Sequence, residues 1–227
     1  MKILYAWDFH GVLEKDNEIA VMKTCNKVMR KYGKSRRITE DETLDWYGRS
    51  WQEYFKRLSP GSSPSELDDM VEDALVIGME VKDLYVKPMD HAMEVLSEIK
   101  NEGNSNIIIS NTRPAHIQNF VDLVGISTYV DGIIGVPKEK EHSKLDIAMH
   151  KGMELFRYAR ENGFSMANMI GDRETDVQAG EIAGAYTYRF ASYKDLRNES
   201  IEDIKRRTIA DKVITDLRDV LKYGPIV

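Results

Sequence analysis

A single cysteine, Cys25, is present in the 227 residues, so no disulfide can close within the chain and a zinc site built on several thiolates is excluded. A reducing compartment suits such a chain, and a cytoplasmic location is the expectation. Long hydrophobic runs are missing as well. No stretch approaches the ~18 consecutive apolar residues of a membrane-spanning helix. The opening Met1-Lys2-Ile3-Leu4-Tyr5-Ala6-Trp7 meets Asp8 before a signal-peptide apolar stretch of ~7–15 residues is complete, which predicts a chain that is not exported. An excess of basic residues is also lacking. The 32 Lys and Arg stand against 38 Asp and Glu, a formal charge of −6, so the chain as a whole carries no cationic footprint for a nucleic-acid polymer or an anionic membrane. His91, His116, His142 and His150 have no partner at metal-ligand spacing, and zinc chemistry is not expected.

What is present is a composition of 42% hydrophobic and 31% charged residues with both signs interspersed, too apolar for disorder. Strand-like apolar runs recur at residues 3–7, 106–109, 132–136, 167–170, 186–190 and 212–214. From the second onward, helix-length amphipathic segments separate most of them, which predicts an α/β fold with a mostly parallel sheet. Roughly ninety residues lie between the first and second runs, far more than an ordinary crossover. That segment has helical rather than strand periodicity. Ile19, Met22, Cys25, Met29 and Tyr32 recur on one face, with Asn17 as N-cap and Gly33 as stop, and Trp51, Tyr54, Phe55 and Leu58 form a second stripe. A third helix is expected over residues 66–79. The organisation expected is a core of residues 1–14 and 88–227 with an all-helical insertion over residues 15–87.

Chemistry-bearing residues stand at strand ends. Asp8 follows the first strand directly, beside Gly11, where open parallel sheets place their ligands. Gly171-Asp172-Arg173-Glu174-Thr175-Asp176 follows the strand at residues 167–170, and a spacing of four sets Asp172 and Asp176 on one face of a starting helix. Two acidic strand ends suggest a hard cation held by oxygens. Ser110-Asn111-Thr112 ends the strand at residues 106–109 and offers hydroxyl and helix-N-terminal donors suited to a phosphate.

Taken in order, Asp8-Phe9-His10-Gly11-Val12-Leu13, then Ser110, then a lysine, then Gly171-Asp172 with Asp176 resemble the four motifs of the haloacid dehalogenase-like hydrolase superfamily, in its helical-cap phosphatase and phosphoglucomutase branch. The resemblance implies a Rossmann-like core with residues 15–87 as the cap. It implies nucleophilic attack by Asp8 on the phosphoryl group of a small phosphorylated metabolite, with Mg²⁺ held by Asp8, the backbone carbonyl of His10, Asp172 and Asp176. Ser110, Asn111 and Thr112 would bind the phosphoryl oxygens, and a lysine would neutralise the charge that phosphate and carboxylate share. Lys144 is the first choice for that lysine, with Lys138, Lys140 and Lys151 left open.

One position departs from the family pattern. Phosphatases of the superfamily usually carry a second aspartate two residues after the nucleophile, as general acid and then general base, and here His10 stands in its place. A continuing strand would set residues 8 and 10 on the same side. Histidine ionises near neutrality when unperturbed, so it suits both halves of the proton transfer. The competing reading is that its ring pairs with Asp8 and leaves a weakened, phosphate-binding protein. A phosphonate hydrolase or a dehalogenase also stays open, because those members lack the second aspartate. In the insertion, Arg49 lies between aromatic residues in Trp46-Tyr47-Gly48-Arg49-Ser50-Trp51. It reads either as a bidentate clamp on an anionic substrate or as a surface residue beside aromatic core packing.

Overall fold

The structure is a computed structural model that describes residues 2–47, 49–135 and 144–223, the side chains of 144–146 excepted. In chain order, β1 (Ile3–Trp7) is followed by β2 (Glu14–Lys15), the helices α1 (Asn17–Lys31), α2 (Glu40–Asp45), α3 (Trp51–Leu58) and α4 (Pro64–Tyr85), and β3 (Lys87–Pro88). Strands and helices then alternate: α5 (Ala92–Asn101), β4 (Ser105–Ser110), α6 (Pro114–Leu123), β5 (Gly132–Gly135), α7 (Lys144–Glu161), β6 (Met166–Gly171), α8 (Glu174–Ala183) and β7 (Tyr186–Phe190). The short α9 (Tyr193–Leu196), α10 (Ile201–Arg207) and β8 (Lys212–Ile214) complete the order. Contacts divide the chain into two compact units, Met1–Glu14 with Pro88–Val227, and Lys15–Lys87.

The first unit is the expected α/β fold. Its six strands form a parallel sheet in the order β5-β4-β1-β6-β7-β8. Because side chains alternate along a strand, β1 serves two layers. Leu4 and Ala6 join Ile107, Ile109, Met169 and Leu155 of α7 in one apolar cluster. From the alternate positions, Trp7 is fully buried and donates its indole N–H to Asn106 Oδ1 at 3.0 Å, while the Asn106 amide donates to Leu96 O of α5 at 2.9 Å. Burial on both faces explains why these strands read as short continuous apolar runs. Local punctuation is also where the sequence puts it: Pro114 opens α6, and Gly184 closes α8 at φ 68°.

The second unit packs α1 against α4 and α3 around Cys25, Val28, Met29, Phe55 and Met70. Three features differ from expectation. Asp16, at φ 68°, is the residue that caps α1, and Asn17 is the first helical residue, its amide donating to the Tyr47 hydroxyl at 2.7 Å. The segment is not helical to its ends, because β2 pairs with β3. Helix α2 carries no apolar stripe, and its local signal is the capping box of Thr39 and Glu42. No helix among the described residues is long and apolar enough to cross a membrane.

Cys25 is fully buried in this second core, and burial pushes its thiol up to about 12. The native protein is therefore expected to resist a thiol reagent at pH 8 and to react at Cys25 only when the unit opens. Labelling followed by mass spectrometry across a urea series checks this, and rapid labelling without denaturant would contradict the packing. The pH sense follows from the raised value. Stability due to the neutral thiol is complete below its ordinary value of 9.0 and is lost as pH rises toward about 12.

Candidate active site

Trp7, the last residue of β1, lies level with Ile108 of β4 and Ile170 of β6. The Asp8 N–H donates to Ile170 O at 2.8 Å and carries the pairing one step past the strand. Three neighbouring parallel strands thus release Asp8, Ser110 and Gly171-Asp172 at one edge of the sheet, the carboxyl edge where such sheets bind ligands.

Charge is concentrated there. The Lys151 ammonium, brought in by α7, donates to Asp8 Oδ1 and to Asp176 Oδ1, each at 2.7 Å. The side chains of Lys151 and Asp176 are 2% and 1% exposed, so this is an ion triad nearly sealed from water. Burial works to depress the ammonium, but the charges of Asp176 and Asp8 outweigh it and hold Lys151 above its usual value. For Asp176, burial prevails over the pull of Lys151 and the carboxyl is raised. Asp172 is pushed up to about 7, first by burial and then by the Asp8 charge.

Asp8, Asp172 and Asp176 each present a carboxylate oxygen within 4.8 Å of the others. Asp172 Oδ1 is sealed from solvent with no hydrogen-bond partner, and the Arg173 Nε lies 4.0 Å away, beyond hydrogen-bond range. Fully ionised, the three carboxylates against one ammonium would carry two net negative charges, which a single divalent cation would neutralise. The orphaned Asp172 oxygen and the all-oxygen donor set fit a hard cation such as Mg²⁺.

Of the four lysines open in the sequence, Lys151 is the one whose side chain is described, and it stands at the carboxylates. Lys144, the first choice, opens α7 seven residues earlier; its side chain, and all of Lys138 and Lys140, lie outside the described residues. Seven residues are two helical turns, so Lys144 and Lys151 share a face about 10.5 Å apart along the axis. The acidic pair also sits differently from the expectation. Helix α8 starts at Glu174, so Asp172 occupies the turn before it and only Asp176 is helical. Asp176 Oδ2 accepts the Arg173 N–H at 3.2 Å, which anchors the first turn of the helix.

His10 does not continue the strand. β1 ends at Trp7, the N–H groups of Val12 and Leu13 both donate to Phe9 O, and Gly11 turns the chain at φ 85°. The His10 Nδ1 lies 3.0 Å from Glu14 Oε1. The sequence pattern assigns Glu14 no role, although its position four residues after His10 is legible. Ser110 is buried and accepts the Thr112 N–H at 3.2 Å, and the sealed Asn111 Oδ1 has no hydrogen-bond partner. Arg49 belongs to the second unit and pairs with Glu53 of α3 at 3.3 Å, while Tyr54 and Phe55 are core residues of that unit.

Gly171 is required by this geometry. A Cβ there would lie 2.1 Å from the Asp176 Cβ, so only glycine lets α8 carry Asp176 against the end of β6. Gly171→Ala is expected to destabilise the protein by about 1–3 kcal/mol through overpacking. Urea denaturation measures it, and a variant as stable as the parent would contradict the contact.

Comparison with known proteins gives a consistent result. The family described as haloacid dehalogenase-like hydrolase matches residues 5–190. The pyrophosphatase PpaX of Listeria monocytogenes is 22% identical over 181 residues, 80% of this chain and 79% of the relative. A phosphoglycolate phosphatase of Aquifex aeolicus is 26% identical over 104 residues, 46% of this chain and 47% of the relative. Among solved structures, a family hydrolase from Deinococcus radiodurans with bound phosphate and sodium superposes with a TM-score of 0.70 at 17% identity, covering 96% of this chain and 92% of that one.

Proposed function

The chain belongs to the haloacid dehalogenase-like hydrolase family, and from that premise we propose that it is a Mg²⁺-dependent phosphatase that cleaves a small phosphomonoester through a phosphoryl group carried on Asp8. One observation carries the reading: a buried lysine bridges two of three clustered carboxylates, and the third has an oxygen without a partner. That arrangement holds a carboxylate nucleophile in place and leaves a negative deficit for a cation. The relatives named pyrophosphatase and phosphoglycolate phosphatase support a small phosphorylated anion as substrate.

An Asp8 oxygen attacks phosphorus, the bond from phosphorus to the leaving oxygen breaks, and His10 protonates that oxygen. His10 then accepts a proton from the water that hydrolyses the acyl phosphate, which restores Asp8 and releases phosphate. Lys151 holds Asp8 in position and offsets charge. Ser110, Asn111 and Thr112 donate to the phosphoryl oxygens. Asp8, Asp172, Asp176 and the His10 backbone carbonyl would hold Mg²⁺, whose chemistry when bound is to screen the repulsion between carboxylate and phosphate.

The test is phosphate release from sugar phosphates, phosphoglycolate, nucleotides and pyrophosphate at pH 5–9, with Mg²⁺ and with EDTA. Turnover of at least one substrate, lost in EDTA and restored by Mg²⁺, is expected. Binding of Mg²⁺ and phosphate with no turnover of any member would replace the enzyme by a phosphate-binding protein.

A further inference from the structure

We infer that Glu14 is a positioning residue that fixes the tautomer and orientation of His10, so that a carboxylate–imidazole dyad stands where one acid/base carboxylate would otherwise serve. The inference rests on the proton-transfer role proposed for His10 and deepens it.

The geometry begins with the turn after β1. The chain makes one turn over Phe9 to Leu13, and an isolated parallel bridge joins His10 and Glu14, where the carboxylate of Glu14 lies 3.0 Å from Nδ1 of His10. The Glu14 side chain is 0% exposed, and its Oε2 has no hydrogen-bond partner. Burying a carboxylate with one oxygen unsatisfied costs stability, and an apolar side chain there would avoid that cost. Rules broken in this way mark functional positions.

A carboxylate in its ionised form only accepts hydrogen bonds, so the 3.0 Å contact with Glu14 favours the tautomer with the hydrogen on Nδ1. That tautomer would leave the lone pair on Nε2, the atom that would take a proton from water and return one to a leaving oxygen. The ring plane is set by two aromatic neighbours. Phe9 and Phe120 meet it nearly perpendicularly, with centroids 5.3 and 5.2 Å away. Phe120 belongs to α6, the helix that follows Ser110-Asn111-Thr112, so the same helix that opens after those residues also packs on the imidazole. Packing defines the plane, and Glu14 defines which nitrogen is protonated.

The experiment uses the full chain with Glu14→Gln, His10→Ala and the double variant. It reads kcat and KM on the best substrate of the panel, and the ring-nitrogen shifts of ¹⁵N-histidine, with His10→Ala assigning the signal. The parent is expected to show His10 protonated at Nδ1. Glutamine is isosteric but can donate as well as accept, so the variant should show mixed tautomers, kcat lowered tenfold or more and KM within about threefold. For scale, an amide in place of the carboxylate that orients a catalytic imidazole lowers kcat by about 10⁴ in a hydrolytic triad. In the His10→Ala background Glu14→Gln should have no further effect, a non-additivity that a structural role would not produce.

The outcomes separate the two readings. If His10→Ala leaves kcat unchanged, the proton-transfer role fails whatever Glu14 does. If His10→Ala lowers kcat but folded Glu14→Gln keeps both kcat and tautomer, the positioning role alone is overturned. Should no substrate turn over, the tautomer shift still decides: a His10 signal unchanged by Glu14→Gln refutes the dyad, and a shifted one supports it.

Discussion

Asp8→Asn is expected to abolish phosphate release, with kcat lowered by about 10⁴ or more, the scale set by loss of a nucleophile elsewhere. An amide oxygen carries no negative charge and is a poor nucleophile toward phosphorus. The substitution keeps the shape of the side chain and the acceptor at Oδ1 that now takes the Lys151 ammonium at 2.7 Å, so the fold should survive. It also removes one of the charges that raise Asp172, and the Asp172 carboxyl should shift down. Steady-state phosphate release beside a denaturation curve checks both parts. Residual turnover above about one per cent in a folded variant would remove Asp8 from the nucleophile's role.

Lys151→Met should damage stability and catalysis together. Methionine fills much of the same volume but leaves Asp8 and Asp176 facing one another without the ammonium that bridges them. Breaking a buried ion pair by removing one partner costs about 3–5 kcal/mol. Added Mg²⁺ should recover part of that loss, because it supplies positive charge to the same carboxylates. Loss of a charge-stabilising donor should lower kcat by about 10²–10³. Lys144→Met, two turns away on the same helix, is expected to stay close to the parent in both respects. Urea denaturation with and without Mg²⁺, together with kcat, distinguishes them. The assignment fails if Lys144→Met is the damaging change and Lys151→Met is tolerated.

The contrast between these two lysines shows where sequence reading stops. Both lie on one face of α7, and helical periodicity cannot separate positions seven apart. The choice depends on how α7 crosses the sheet, which brings Lys151 to an aspartate 143 residues earlier in the chain. His10 carries the same lesson on a smaller scale. Strand alternation says nothing of Glu14, but β1 ends at Trp7, and after the turn at Gly11 the imidazole and the Glu14 carboxylate meet. Helix α2 is not legible in the sequence, because its acidic stretch has no apolar stripe to mark a buried face.

Other features needed no such information. The strands Ile3–Trp7, Tyr186–Phe190 and Lys212–Ile214 and the helix Trp51–Leu58 have the bounds their apolar patterns predict. Each of those signals is complete within a few residues. By itself, then, the sequence determined the α/β class, most of the elements, and the strand ends at which Asp8, Ser110 and Asp172 stand. Tertiary structure decided which charges meet: Lys151 with Asp8 and Asp176, and Glu14 with His10. The physical reason is range. Propensity, capping and burial patterns act over a turn of helix or a pair of strand residues, whereas a buried ion cluster forms only where strand order and helix crossing bring distant side chains within hydrogen-bond distance.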